Sequence, residues 1–545
     1  MGNKQLIWII GLLGVQATAW AQTDRYVAFF SDKTGTPYTT DAPEAFLSER
    51  ALARRSVQAI EVTEADLPVN PEYVTAITDL GAAVYYTSRW MNAAMFEGTR
   101  EQREAVLELD MVDSIWYVAG GGLNARPERE NKPPMSEYAR PETNQRNAAQ
   151  NELLGIPSLH GQGYTGDGVL IAVFDGGFLG VDEASGFQHL HDNKQIVQTY
   201  DFVGNRVYPY GYDQHGTRVL STMASFITSG ADTLYLGAAY EAQYILCVTE
   251  DVPVEYRLEE FNWLFGAELA DSAGADIIHS SLGYSDFFTD RSMDYSPADM
   301  DGITTIIARS AQFAADRGIL VVTSAGNSGG SSWNVLTSPA DVPDVLAVGA
   351  ISFDGSPANF TSRGLSLNPV KPDVSAWGVA AVLVNSLGGI SEANGTSYSA
   401  PQVAGLAAGL WQAFPELSAQ ELIDIIRQSG DRFTDPDTLV GYGVPNFIRA
   451  QRLVVTGLGE DRFPELSVYP NPNAGNTLTI ELPADFQGGE LQVIVFSTTG
   501  SRVSTESVPV TGKSLIVNTE GWETGSYFLR IESDQKIGWA RVVKP

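Results

Sequence analysis

Cysteine is almost absent. Cys247 is the only one in 545 residues, so no intramolecular disulfide can staple this fold. It stands in the apolar run 244–248, where a thiol serves as a small core hydrophobe rather than a reactive group. Basic residues are also few, 34 against 66 acidic, and the resulting charge of −32 excludes nucleic acid or an anionic membrane as a natural partner. Such acidity reads as solubility outside the cell. Long apolar runs are missing beyond the N-terminus. There Lys4 precedes an apolar segment, 6–15, and Ala19-Trp20-Ala21 has the small-x-small form of a signal peptidase site, so residues 1–21 read as a signal peptide. That segment is too short for a permanent anchor, and the mature chain is expected to be exported without a transmembrane segment. What remains is 43% hydrophobic and long enough for two or three domains with their own cores.

Histidine is scarce too, which narrows the search for a catalytic base to five positions. His160, His189, His191 and His279 lie in stretches with no other catalytic signature and read as surface or satisfied core. His215 differs, because His215-Gly216-Thr217 allows close backbone approach beside the imidazole and opens an apolar-periodic helix. The nucleophile candidate is Ser397 in Gly395-Thr396-Ser397-Tyr398-Ser399-Ala400-Pro401, directly before the small, apolar helical run 402–410. Partial positive charge and free N–H groups collect at such a start. Taken alone, this serine suits a helix cap equally well. A serine hydroxyl needs a base, commonly a neutral imidazole, and the base needs an orienting carboxylate. The buried-strand run 169–174 ends in Asp175-Gly176-Gly177, and sites assemble at the carboxyl ends of strands in open parallel sheets.

Asp175-Gly-Gly, His215-Gly-Thr and Gly395-Thr-Ser397-Tyr-Ser-Ala-Pro401, in that order, resemble the three signatures of the subtilisin-like serine proteases. The resemblance implies an endopeptidase that works through an acyl-enzyme on Ser397, with His215 as base and Asp175 as its orienting partner. Asn327, in Thr323-Ser324-Ala325-Gly326-Asn327-Ser328-Gly329, is similar to the family's oxyanion asparagine. Ser281-Leu282-Gly283 and Ser324-Ala325-Gly326 match the two walls of the pocket for the residue before the scissile bond, which implies protein or peptide substrates with a medium-to-large apolar side chain there. Arg218 and Gly176 depart from the commoner family pattern without removing a catalytic group. No cofactor is implied for the chemistry. Structural calcium is common in the family, and Asp299, Asp301, Asp435 and Asp437 are clustered carboxylates, but none lies in a loop of calcium-binding spacing; solvated acidic loops and no metal is the reading adopted.

The rest of the chain falls around this centre. Residues 22–118 read strand, helix (43–57), strand, strand, helix (100–107), strand, an α+β ferredoxin-like arrangement that resembles the family's propeptide, a partner that folds and then inhibits the enzyme. Residues 119–150, rich in Gly and Pro without apolar period, read as a linker carrying the processing site. Residues 151–455 alternate apolar runs with helical patterns, as a doubly wound, mainly parallel α/β sheet requires, with strands at 169–174, 244–248, 276–278, 319–323 and 345–350. Among the helices, 303–317 is expected to bury Ile303, Ile306, Ile307, Ser310, Ala311 and Ala314, and 419–429 is the last. Residues 456–545 alternate short strands with turns, a small β-sandwich. Its Tyr469-Pro470-Asn471-Pro472 opening, Gly525-Ser526-Tyr527 and terminal Val542-Val543-Lys544 resemble the C-terminal sorting domain of Bacteroidota proteins exported by the type IX machinery, which implies a secreted or cell-surface protein; a domain for substrate or carbohydrate is the alternative. Two other functions use the same residues: a non-catalytic surface or adhesion protein, and an acyl transferase that passes the acyl group to an amine.

Overall fold

Short apolar runs closed by polar or glycine turns become the strands of one sheet. The computed structural model describes residues 23–121, 141–230, 232–366, 368–456, 466–483, 486, 490–497, 502–510, 512–532 and 537–545. The signal peptide 1–21 and residues 122–140 of the expected linker lie outside them.

The central sheet has seven strands in the spatial order Val374–Trp377, Leu346–Ile351, Leu320–Ser324, Ile277–Ser280, Leu170–Asp175, Gln243–Val248 and Ile196–Asp201. Every neighbouring pair runs parallel. Leu170–Asp175 is buried at all positions, which is why its sequence is continuously apolar instead of alternating. Its side chains divide between two cores. Ile171 and Val173 join Leu220, Val403 and Leu406 on one face, while Leu170, Ala172 and Phe174 join Phe261, Trp263 and Ile307 on the other. The fold is therefore doubly wound, and the chain changes direction beside Leu170–Asp175, the place where such sheets open a crevice. The outer strands Ile196–Asp201 and Val374–Trp377 were not expected; the first is half-exposed and mostly polar, the second only four residues long.

Two helical expectations are corrected. The helix expected at 303–317 runs Ile306–Ala315, and Ile303 is 70% exposed rather than buried. Asp301 accepts from the N–H groups of Ile303 and Thr304, holding them in a turn, and Thr305 caps the helix behind them. In the expected linker, residues from Pro141 onward form the helix Pro141–Leu153. It has no apolar stripe to betray it. Polar bonds to neighbouring backbone hold it instead: Asn147 accepts from Leu236 N at 3.0 Å, and Gln150 accepts from Val382 N at 2.9 Å.

The propeptide region forms an antiparallel sheet in the order Ala83–Ser88, Ala93–Gly98, Asp24–Phe30, Val112–Gly120, the ferredoxin-like order. The first helix begins at Glu49, capped by Ser48, after a separate short turn Pro43–Ala45, and a second helix, Pro71–Asp79, follows it. The Glu49–Val57 helix leans on the helix Arg257–Ala273, which packs on the central sheet. Between them Asp271, fully buried, accepts from Arg54, from Arg55 at 2.8 Å and from Arg89 at 2.5 Å. Burial pushes its carboxyl up; four guanidinium groups, Arg54, Arg89, Arg55 and Arg317, pull harder and hold it below the ordinary range. Asp66 joins Arg55 to Arg317, and Glu268 accepts from the backbone N–H groups of Arg89 and Trp90.

The C-terminal region folds as two antiparallel sheets, one of three strands and one of four, around Leu478, Ile480, Val493, Leu515, Leu529 and Ile531. Arg502–Pro509 was not expected, because almost all of its residues face water. Arg530 fastens this region to the end of the helix Thr396–Ala413, donating to Ala413 O at 2.8 Å and pairing with Glu416 at 2.6 Å over the Phe414 ring. Among the described residues no helix is long and apolar enough to cross a membrane.

Candidate active site

Three adjacent strands of the sheet end in the residues singled out above. Asp175 closes Leu170–Asp175, Ser281-Leu282-Gly283 follows Ile277–Ser280, and Ser324-Ala325-Gly326 with Asn327 closes Leu320–Ser324. His215 opens the helix His215–Ala224, and Ser397 is the second residue of Thr396–Ala413.

Asp175 is 1% exposed, and both of its oxygens face His215 Nδ1, at 3.0 and 2.9 Å. Asp175 Oδ1 also accepts from Gly176 N at 2.7 Å, which fixes the carboxylate plane. This close pairing depends on Gly216: a Cβ there would stand 2.5 Å from Gly177 O and 2.8 Å from Asp175 Cβ. With Nδ1–H donating a hydrogen bond to Asp175, neutral His215 keeps Nε2 as the acceptor. Burial pulls the imidazole pKa down, but the charge and hydrogen bond of Asp175 outweigh it, so the net displacement is upward from 6.5. The side chain is still 32% exposed, open to a substrate.

Ser397, 7% exposed, sits in the first helical turn, between Thr396, whose N–H donates to Asn327 Oδ1, and Tyr398, whose N–H donates to Gly395 O at 3.1 Å. Asn327 reaches this turn from the side. Its Oδ1 accepts from Thr396 N at 2.9 Å and Thr396 Oγ1 at 3.0 Å, which leaves its exposed amide NH₂ as a donor beside Ser397. The Tyr398 ring lies 5.8 Å from the His215 ring, joining the two halves of the site. The presumed pocket walls stand around Thr337: a Cβ on Gly283 would fall 2.0 Å from Thr337 Oγ1, and one on Gly326, which has φ +102°, would fall 2.9 Å from it. The Thr337 side chain fills the space beside both glycines, and only glycine at these two positions admits it. Ser281 contributes backbone to this wall, because its hydroxyl turns inward to Ser397 O at 2.9 Å.

His279 was read as satisfied core. It is fully buried, but its Nε2 lies 3.0 Å from Ser281 Oγ, which in turn bonds the carbonyl of Ser397. The signal available in the sequence was Pro401, four residues after Ser397. The acidic residues weighed for calcium are engaged locally: Asp299 accepts from Ser296 N, Asp301 from Ile303 and Thr304 N, and Asp437 from Leu439 and Val440 N, while Asp435 N donates to Arg432 O.

An acid limb follows from this geometry. A base must be neutral to accept a proton, so kcat/KM should fall as pH drops through the raised His215 pKa, with its midpoint above 6.5. In Asp175→Asn the raising charge is gone, and the midpoint should move to lower pH. A pH series on both proteins checks it; an unmoved midpoint assigns the limb to another group.

Comparison with known proteins bears on each part of the chain. Residues 166–443 match the model of the subtilase family, residues 25–134 that of the peptidase S8 propeptide domain of Bacteroidota, and residues 467–544 that of a secretion system C-terminal sorting domain. Subtilisin E of Bacillus subtilis (strain 168) is 30% identical over 357 residues, covering 64% of this chain and 78% of that relative. Subtilisin of Bacillus pumilus is 30% identical over 272 residues, covering 49% of this chain and 86% of the relative. The solved structure of MycP1 from Mycobacterium smegmatis, 22% identical, covers 60% of this chain and 90% of its own with a TM-score of 0.45.

Proposed function

The chain belongs to the subtilase family of serine peptidases, and from that premise we propose that it is an endopeptidase working through an Asp175–His215–Ser397 triad and an acyl-enzyme. The observation that carries this reading is the doubly held Nδ1 of His215 on Asp175, which leaves Nε2 free to act as base beside the helix start that bears Ser397.

In this mechanism His215 Nε2 takes the Ser397 hydroxyl proton as Oγ attacks the scissile carbonyl. The oxyanion is received by the Ser397 backbone N–H and the Asn327 amide. His215 then gives its proton to the leaving amine, and a water molecule, activated by the same imidazole, releases the acyl group. Side chains and backbone supply all of these steps. An extended substrate pairs with the backbone of Ser281-Leu282-Gly283 and Ser324-Ala325-Gly326, its apolar side chain entering between them toward Thr337.

Digestion of a mixed peptide library, with products read by mass spectrometry, tests the reading. Internal cuts after apolar residues are expected. Trimming from the termini alone would remove the endopeptidase assignment, and products joined to amines would reassign the enzyme to acyl transfer.

The C-terminal sorting domain marks the chain for export through the type IX system to the cell surface or medium. Its anchorage is remote from the chemistry: Ala413 is sixteen residues along the helix from Ser397, about 24 Å at 1.5 Å per residue. Removal of residues 463–545 should therefore leave hydrolysis of small peptides intact while stopping export from the native host. The helix end should lose stability as Phe414 is uncovered, by about 1–3 kcal/mol. Fractionation of cultures and a peptide assay check both halves; normal export of the truncated chain, or loss of its activity, defeats the prediction.

A further inference from the structure

The carbonyl of Ser397 should accept from the N–H of residue 401, one helical turn on, but residue 401 is proline and has none. The missing donor comes from outside the helix. Ser281 Oγ donates to Ser397 O at 2.9 Å. That contact uses the only proton of the hydroxyl, so the 3.0 Å contact between Ser281 Oγ and His279 Nε2 has to be donated by the imidazole. His279 is fully buried in Ile277–Ser280, and burial keeps it uncharged, its pKa pushed down to about 3. A neutral ring with its proton on Nε2 meets this requirement.

We propose that His279 and Ser281 are positioning residues, forming a relay from Nε2–H to Oγ–H to the Ser397 carbonyl that sets the first turn of the nucleophile helix. The proposal rests on Ser397 being the nucleophile. Both groups that the mechanism takes from Ser397, its Oγ and its backbone N–H, belong to this turn. Within this turn Tyr398 N donates to Gly395 O and Ser399 Oγ to Thr396 O, whereas Pro401 removes the helical donor of the Ser397 carbonyl alone. Asn327 clamps the turn at Thr396 N, and Ser281 clamps it at Ser397 O. Misplacement of reacting groups by 1 Å costs about 10²-fold in rate, so a turn held at only one of these points is a slower catalyst even when folded.

The test supplies the lost donor from another place. Ser281→Ala should lower kcat on a small peptide ester about tenfold, the worth of one hydrogen bond, with KM little changed because the backbone wall is intact. Pro401→Ala restores an N–H one turn from Ser397 O, and Ser281→Ala/Pro401→Ala should recover most of the lost kcat. A merely structural serine would not be rescued in this way. His279→Leu should lower kcat as Ser281→Ala does, and His279→Gln, whose amide can donate, should keep more of it. Thermal midpoints of all variants separate rate from unfolding. A double variant no faster than Ser281→Ala, or His279→Leu with unchanged kcat, overturns the assignment. Should Pro401→Ala not fold, the His279 pair decides. Labelling of the wild-type chain with a phosphonofluoridate, located by mass spectrometry, stands apart: failure to label Ser397 defeats the nucleophile reading and not the relay alone.

Discussion

Ser397→Ala is expected to be exported and folded yet to remain a precursor, with residues 22–118 still covalently attached. In this expectation the propeptide tail is the enzyme's own first substrate. The last propeptide strand, Val112–Gly120, packs beside the helix Arg257–Ala273, which Tyr256 caps. Tyr256 ends the segment whose Val252 lies against Gly176, next to Asp175. Processing beyond Gly120 then calls on the same base, carboxylate and nucleophile as later turnover. Loss of the serine in an enzyme of this type lowers kcat by about 10⁶, too slow to process the chain on a biological timescale. His215→Ala should show the same block, and Asp175→Asn, at about 10⁴, a slower leak of mature protein. N-terminal sequencing of the three variants expressed in the native host reads the outcome. A fully processed Ser397→Ala would show that another protease matures this one, and would leave the triad to be judged on peptide hydrolysis.

Asn327→Ala should lower kcat by about 10²–10³-fold with little change in KM. The expectation follows from how the amide is held: its Oδ1 is occupied by both donors of Thr396, so the NH₂ is fixed in advance of the reaction. A donor aimed at charge that appears only in the transition state acts on kcat. Steady-state kinetics on one peptide substrate decides, and a raised KM with normal kcat would reassign Asn327 to substrate binding.

The groups of the proposed chemistry were legible in the sequence because catalysis demands particular residue types at strand and helix ends, and those ends are marked by apolar runs that close near Asp175 and Asn327 and open after Ser397. The doubly wound sheet was legible for the same reason. What escaped depends on contacts between distant segments. His279 and Ser281 act on Ser397 across 116 residues between Ser281 and the nucleophile, and nothing local in Ile277–Ser280 distinguishes such a histidine from a core one. Pro141–Leu153 is held by Asn and Gln side chains that satisfy other backbones, which leaves no period to read. Arg502–Pro509 lies largely in water, so it lacks the alternation that marked its neighbours. Ile303 failed differently: its periodicity was genuine, but the Asp301 turn and the Thr305 cap started the helix beyond it.

The buried Asp271 has a consequence for inheritance. The three arginines hydrogen-bonded to it all belong to the segment that maturation is expected to cut away, so neither piece is chemically complete alone. A catalytic domain paired with a propeptide lacking Arg54, Arg55 and Arg89 would have to close over a carboxylate stripped of its hydrogen-bonded cations, with Arg317 still acting on it from the catalytic side, at a cost of about 3–5 kcal/mol. Propeptides are thus not interchangeable parts for this chain. In a chimaera the arginines and Asp271 have to travel as one set or be replaced together by apolar residues, and a single substitution drifting in on either side breaks a match that the other side still carries.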